Sequence, residues 1–476
     1  MPDHTEGVDR GVGIAGRRRF LKIAGGSIVP VAAAGCAEQS AGGGGDSGGD
    51  GGNSGDSSSE DDATSGSSDD SEGGGEINVI MENVYDTTVV ENLLPQWNEN
   101  HDATVNIESF PFTTLQEKIT TQLQADTNTY DVIITSISVG ERFAREGLIQ
   151  DISDRVADSS RVLEDEYLDT LWNAVADMND GIYGVPFYNW ALAMIYRKDL
   201  MSNEDLQSQY ESNTGETLSI PETIDSYVDV SEFMTLDQDD NGEVDIWGSA
   251  MQARKGIKIS EEWYNYLYGK GGRFIDDGTV VLGDHREEAI EALESYKQNL
   301  ENAAPPEAGN YGFNEARQLM EQGNAFNMLT YNWMYGRLQN TDVGDQISVA
   351  TIPGGTPVIG VWGWAIPHNI SEERADSAWE FIQWVESPEI RTERAREGAA
   401  PTCNDVLGNQ ELIDQFPTWY PVVEETLKNG IAQPTTPGSL EASNELGTQL
   451  SLAVTGQKSI ENAINDAITN TENIMR

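Results

Sequence analysis

Tyr188-Asn189-Trp190 interrupts an otherwise apolar stretch with two large rings and an amide, between Val185-Pro186-Phe187 and the apolar run Leu192 to Tyr196. Flat aromatic faces stack on the C–H surfaces of polyhydroxylated molecules, and planar amides exchange hydrogen bonds with their hydroxyls. The grouping therefore suits non-covalent recognition of a small solute. A strand that leaves one core and enters another, with such groups at the crossing, has the form of a hinge lining a cleft. Trp333 stands in a comparable place, after the apolar run ending at Tyr331-Asn332 and before a helix, where a side chain projects into a cleft.

A second grouping could hold a hard cation. Asp237, Asp239, Asn241, Glu243 and Asp245 place oxygen side chains at alternate positions around Gly242, the front of an EF-hand loop. The twelfth position is Gly248, so the bidentate carboxylate would have to come from elsewhere. The loop reads either as a structural calcium site or as an acidic turn leading into a strand at Ile246-Trp247-Gly248; no other cofactor is required. The four histidines are scattered, so neighbours assemble no zinc cluster, and the two cysteines, Cys36 and Cys403, exclude a disulfide framework.

The elements that would position these groups alternate. Ile77 to Met81, Val105 to Ile107 and Asp131 to Ile134 read as strands, with Val89, Val90, Leu93 and Trp97, then Leu115, Ile119 and Leu123, recurring at helical spacing between them. That is the rhythm of parallel βαβ units, in which ligands sit at the carboxyl ends of strands. Here those ends are Glu82 to Asp86, which offers Asn83 and Asp86, and Thr135 to Ser138, which offers Ser136. Further on, Thr223 reads as a helix N-cap. The aromatic run Trp263 to Tyr268 suits core or cleft equally.

The chain of 476 residues is long enough for two cored domains, and its formal net charge of -53 repels nucleic acid and anionic lipid alike. So acidic a composition, poor in lysine, resembles that of proteins from extreme halophiles, whose carboxylate surfaces stay hydrated while salt screens their repulsion. Arg17-Arg-Arg-Phe-Leu-Lys22 resembles a twin-arginine export signal, and the apolar stretch after it is too short and too broken by Gly25, Gly26 and Pro30 to span a bilayer. Ala33-Ala-Gly-Cys36 resembles a lipobox, with Cys36 as the lipidated residue; one lipid chain anchors only marginally. Residues 37–75, nearly all Gly, Ser, Asp and Glu after the first few, read as a solvated tether.

Several spaced motifs from Ile77 onward resemble the extracellular solute-binding proteins of ABC importers, of the type that takes up sugars. They are Asp131-Val-Ile-Ile134 leading to Gly147-Leu-Ile-Gln-Asp151, Gly181-Ile-Tyr-Gly-Val-Pro186, Tyr196-Arg-Lys-Asp-Leu200, Pro221-Glu-Thr-Ile-Asp225, Gly323 to Trp333, Pro353-Gly-Gly355, Ala378 to Ser387-Pro388-Glu389, and Gly398-Ala-Ala-Pro401. The resemblance implies an α/β fold of the type II periplasmic-binding-protein kind, two α/β lobes with a ligand cleft between them. Signal and lipobox occupy 1–36 and the tether 37–75; lobe 1 takes 76–188 plus 362–402 and lobe 2 takes 189–361 plus 403–476. The implied cleft is lined by Asn83, Asp86, Ser136, Tyr188, Asn189, Trp190, Asn332, Trp333, Trp362 and Trp364. Trp190 departs from the acidic residue that some sugar-binding relatives carry, and Ile224 from a usual Trp.

The implied protein is a monomeric, lipid-anchored binding protein on the outer face of the cytoplasmic membrane. It would capture a sugar or oligosaccharide for an ABC permease and have no enzymatic activity. Glycerol phosphate is a less favoured solute, because Arg254 is the main basic candidate. A secreted glycoside hydrolase would share the aromatics but adds two carboxylates flanking the bond. A surface adhesion protein would have no enclosed cleft.

Overall fold

The structure, a computed structural model, describes residues 75–476 apart from 240, 277, 435 and 437 and the side chains of 113 and 138. The twin-arginine motif, Cys36 and residues 37–74 lie outside the described residues.

Two sheets carry the architecture. In chain order their strands are β1 (Glu76–Glu82), β2 (Thr104–Phe110), β3 (Val132–Ser136), β4 (Val185–Asn189), β5 (Leu192–Arg197), β6 (Trp247–Ser249), β7 (Ala325–Tyr331), β8 (Ile347–Ala350) and β9 (Val361–Ala365). The first sheet runs β2-β1-β3-β9-β4 and the second β8-β5-β7-β6. β1 is parallel to both β2 and β3, as the strand–helix alternation anticipates. β9 slots antiparallel between β3 and β4. In the second sheet β5 is antiparallel to β7 and β8, and β6 runs parallel to β7.

β3 and β5 are buried along their whole length, which explains apolar runs without alternation: helices cover both faces. The helix Tyr85–Asn100 buries Val89, Val90, Leu93 and Trp97. The helix Glu372–Val385 buries Trp379, Phe381 and Ile382, and the Ser371 side chain accepts the Arg374 N–H at its start. In lobe 2, Thr223 caps the helix Ile224–Phe233 in a capping box with Ser226. Trp263 to Tyr268, on the helix Ile257–Gly269, belong to the core.

The chain leaves the first sheet at Asn189 and enters the second at Leu192, so Trp190 and Ala191 alone make the crossing. It returns through Gly360, whose carbonyl accepts the Trp190 N–H at 2.9 Å, so the two crossings run side by side. A third passage follows the segment Gly398 to Cys403; Cys403 bridges to Tyr167 in lobe 1, and the later helix Trp419–Asn429 packs on β5 and β8. Among the described residues no helix is long and apolar enough to cross a membrane.

Candidate ligand-binding site

The floor is the crossover itself. Asn189 donates through Nδ2 to the Pro401 carbonyl at 2.6 Å, and its Oδ1 accepts the Ala191 N–H and an N–H of the Asn332 side chain. The Asn332 backbone N–H in turn donates to the Ala191 carbonyl at 2.8 Å. Both amides are fully buried and link the three chain passages, and Asn332 Oδ1 has no partner among the described residues. Trp190 lies against Gly360 so closely that a Cβ there would come 2.0 Å from its ring.

Lobe 1 supplies one wall. Glu82 ends β1, and Tyr188 on β4 donates its hydroxyl to Glu82 Oε2 at 2.8 Å. Trp362, near the start of β9, stacks on Tyr188 with ring centroids 6.4 Å apart and meets Phe112 edge-on at 6.0 Å. Ser136 closes β3 directly opposite Trp362 and is buried.

Lobe 2 supplies the other. Tyr331 ends β7, stacks on Trp333 at 5.6 Å, and meets Trp190 edge-on at 6.0 Å, with Phe313 behind both rings. Lys258 enters from the first turn of the helix Ile257–Gly269. Its Nζ donates to Glu261 Oε2 and to the Tyr331 hydroxyl oxygen, each at 2.7 Å. The same ammonium lies 5.9 Å from the ring of Phe112 in lobe 1, so the two walls meet across it.

Burial pushes the Glu82 carboxyl up to about 7; the Tyr188 hydrogen bond and Lys258 oppose the shift, and Glu261 adds to it. Burial likewise raises Asp86 to about 7, against the Ala400 N–H that its Oδ1 accepts. Burial works to lower Lys258, but Glu261 and Tyr331 outweigh it and hold the ammonium charged.

The residues anticipated from sequence thus divide. Tyr188 and Trp362 on one side and Trp190 and Trp333 on the other are linked through Phe112, Lys258 and Tyr331. Asn189, Asn332 and Asp86 tie the passages beneath them, and Asn83 is exposed, with its backbone N–H on the Phe110 carbonyl. Trp364 is turned into the lobe 1 core, 4.1 Å from Phe187, with its indole N–H on Glu386 at 2.8 Å. Arg254 is committed to Glu315 and the Asn310 carbonyl. Phe112, Lys258, Glu261 and Tyr331 lie outside the site read from the sequence, and Glu82 enters it only as the first residue of the strand end Glu82 to Asp86; for Tyr331 the usable signal is its place at a strand carboxyl end.

In the acidic loop, carboxylate oxygens of Asp237, Asp239 and Asp245 lie within 4.8 Å of one another. Backbone N–H groups of the loop already use them: Gly242 and Asn241 donate to Asp237, and Gln238 donates to Asp245. Asn241 Oδ1 takes the Glu243 N–H. Gly248 admits no side chain, since a Cβ would stand 1.8 Å from the Ser231 carbonyl oxygen.

The family profile of bacterial extracellular solute-binding proteins matches residues 83–392. A probable amino-acid ABC transporter periplasmic-binding protein of Sinorhizobium fredii is 25% identical over 235 residues, 48% of this chain and 53% of that one. The match thus spans about half the length of that relative. The mannitol-binding protein of Pseudomonas aeruginosa is 24% identical over 404 residues, covering 76% of this chain and 84% of its own. Among solved structures, an ABC transporter solute-binding protein of Agrobacterium radiobacter in complex with ribitol superposes with a TM-score of 0.72 at 23% identity. It covers 84% of this chain and 99% of that one. The fold is that of the type II periplasmic binding proteins.

Proposed function

This chain belongs to the bacterial extracellular solute-binding proteins, and we propose that its cleft captures a sugar or polyol and delivers it to an ABC transporter permease. The observation that carries this is the stacking of Tyr188 with Trp362 in one lobe and of Tyr331 with Trp333 in the other, with Glu82 on the Tyr188 hydroxyl and Lys258 on the Tyr331 hydroxyl. A solute that touches both walls favours the closed arrangement of the lobes, a population shift that a permease can read. Ribitol and mannitol, named for two similar proteins, are reasonable first probes.

Binding without turnover belongs to the same reading: an oligosaccharide incubated with the protein should remain intact, whereas a glycoside hydrolase would cleave it. Export through Arg17-Arg18-Arg19, anchoring through Cys36, a monomeric state and adaptation to high salt belong to the same reading and rest on the sequence. A calcium ion at Asp237, Asp239 and Asp245 would serve structure only. A thermal-shift screen in molar salt, with sugars, polyols, glycerol phosphate and amino acids, tests the assignment. A concentration-dependent rise with a sugar or polyol supports it. A response confined to amino acids or glycerol phosphate overturns it.

A further inference from the structure

Resting on that reading, we propose that Lys258 and Glu82 form a donor–acceptor pair that selects neutral solutes. Hydroxyls of one solute accept from the Lys258 ammonium in lobe 2 and donate to the Glu82 carboxyl in lobe 1.

An ammonium has three N–H donors. Lys258 spends two, on Glu261 and Tyr331, and among the described residues the third has no protein partner. Its side chain is 29% exposed, so a small molecule can reach it. Glu82 uses Oε2 for the Tyr188 hydroxyl, and its Oε1 has no protein partner among the described residues. Each wall therefore offers one unspent polar group, of opposite kind, beside the stacking rings. Only a molecule that both accepts and donates satisfies the two together, as adjacent hydroxyls do.

The charge balance sets the class. Lys258 and Glu261 neutralise one another at 2.7 Å, and burial disfavours the charged form of Glu82, so the space carries little net charge. A phosphorylated solute would meet Glu82 and Glu261 with a single, already paired cation. A cationic one would meet the resident ammonium, which faces the rings of Tyr331 and Phe112 at 5.4 and 5.9 Å. Lys258 so acts as a built-in occupant of an aromatic and carboxylate box, and its loss should open that box to amines.

Calorimetry on the full chain tests this with ribitol, mannitol, maltose, glucose, glucosamine and glycerol phosphate as probes. The wild type should bind a neutral member. Lys258→Met and Glu82→Gln should each weaken it about tenfold to a hundredfold, and the double variant should lose little more than either. Lys258→Met should also shift preference toward glucosamine over glucose by about tenfold, a gain that general loosening would not produce. If Lys258→Met does not fold, Lys258→Arg should show the loss of neutral affinity. Neutral affinity abolished by Trp333→Ala but kept within about threefold by Lys258→Met and Glu82→Gln overturns the pair and leaves the cleft standing. A wild type that takes none of the neutral probes overturns the solute reading and the pair with it.

Discussion

Trp333 and Tyr331 stack with 5.6 Å between ring centroids and 9° between ring planes, at the point where β7 ends and the chain turns into the next helix. Tyr331 closes the strand and Trp333 caps the following helix, and the stacked pair presents an aromatic face of the kind that receives the C–H side of a sugar. Replacing Trp333 with Ala removes the outer half of that face. Calorimetry with the best neutral solute should show affinity falling about a hundredfold; an unchanged Kd would remove Trp333 from the site.

Trp364→Phe should do the opposite. It deprives buried Glu386 of the indole N–H and leaves Arg394 as its charged partner, at a cost of about 1–3 kcal/mol. The denaturant midpoint should drop, with solute affinity kept within about twofold. A large loss of affinity would place Trp364 in the cleft after all.

Gly360→Ala tests the crossover. The new Cβ would lie 2.0 Å from the Trp190 ring, and the backbone is held by the Trp190 N–H on the Gly360 carbonyl. Trp190 must swing away, so affinity should fall about tenfold and tryptophan emission should change. Wild-type binding and emission together would show that the ring position is immaterial.

Glu262 gives the pH prediction. It is buried in lobe 2, accepts the Gln252 N–H at 2.7 Å and the Tyr296 hydroxyl at 2.9 Å, and burial pushes its carboxyl up to about 7. A carboxyl raised in the folded state binds its proton more tightly there than in the unfolded chain. Its contribution is therefore complete below the ordinary value of 4.5 and is lost as pH rises through about 7. Melting temperature should fall between pH 5 and 8, and Glu262→Gln should flatten part of that fall, worth ~2–3 kcal/mol. A variant with the same slope as wild type would show that Glu262 does not titrate in this range.

Much of the first lobe can be read directly from period. The apolar runs of β1 and β3, with Val89 to Trp97 between them, leave one arrangement of parallel strands and helices. Trp190 and Trp333 are legible because each follows or precedes an apolar strand, where side chains reach a cleft. Trp362 and Trp364 share a period of two and look alike in sequence. They differ in depth along β9 and in a register shift at Trp362/Gly363, which only the paired strand reveals. Asn189 has the chemistry of a ligand contact but spends it on the Pro401 carbonyl, the Ala191 N–H and the Asn332 amide, whereas Asn332 Oδ1 is buried with no partner among the described residues. Lys258 was illegible because its partners Tyr331 and Phe112 are far away in the chain; nothing local marks a helix-start lysine as facing aromatic rings.

The place of β9 between β3 and β4 bears on how the molecule is made. On a growing chain, β3 and β4 emerge early with open edges toward each other, and the strand that fills the gap follows only after the whole second sheet has been synthesised. Lobe 1 cannot close its hydrogen-bond ladder until then, whereas lobe 2 has all four of its strands before β9 appears. The second sheet can thus pair first, although the helix Trp419–Asn429 that covers β5 and β8 is made only after β9. Until β9 pairs, two unpaired strand edges stand exposed, and they are where a stalled or truncated chain would associate with its neighbours.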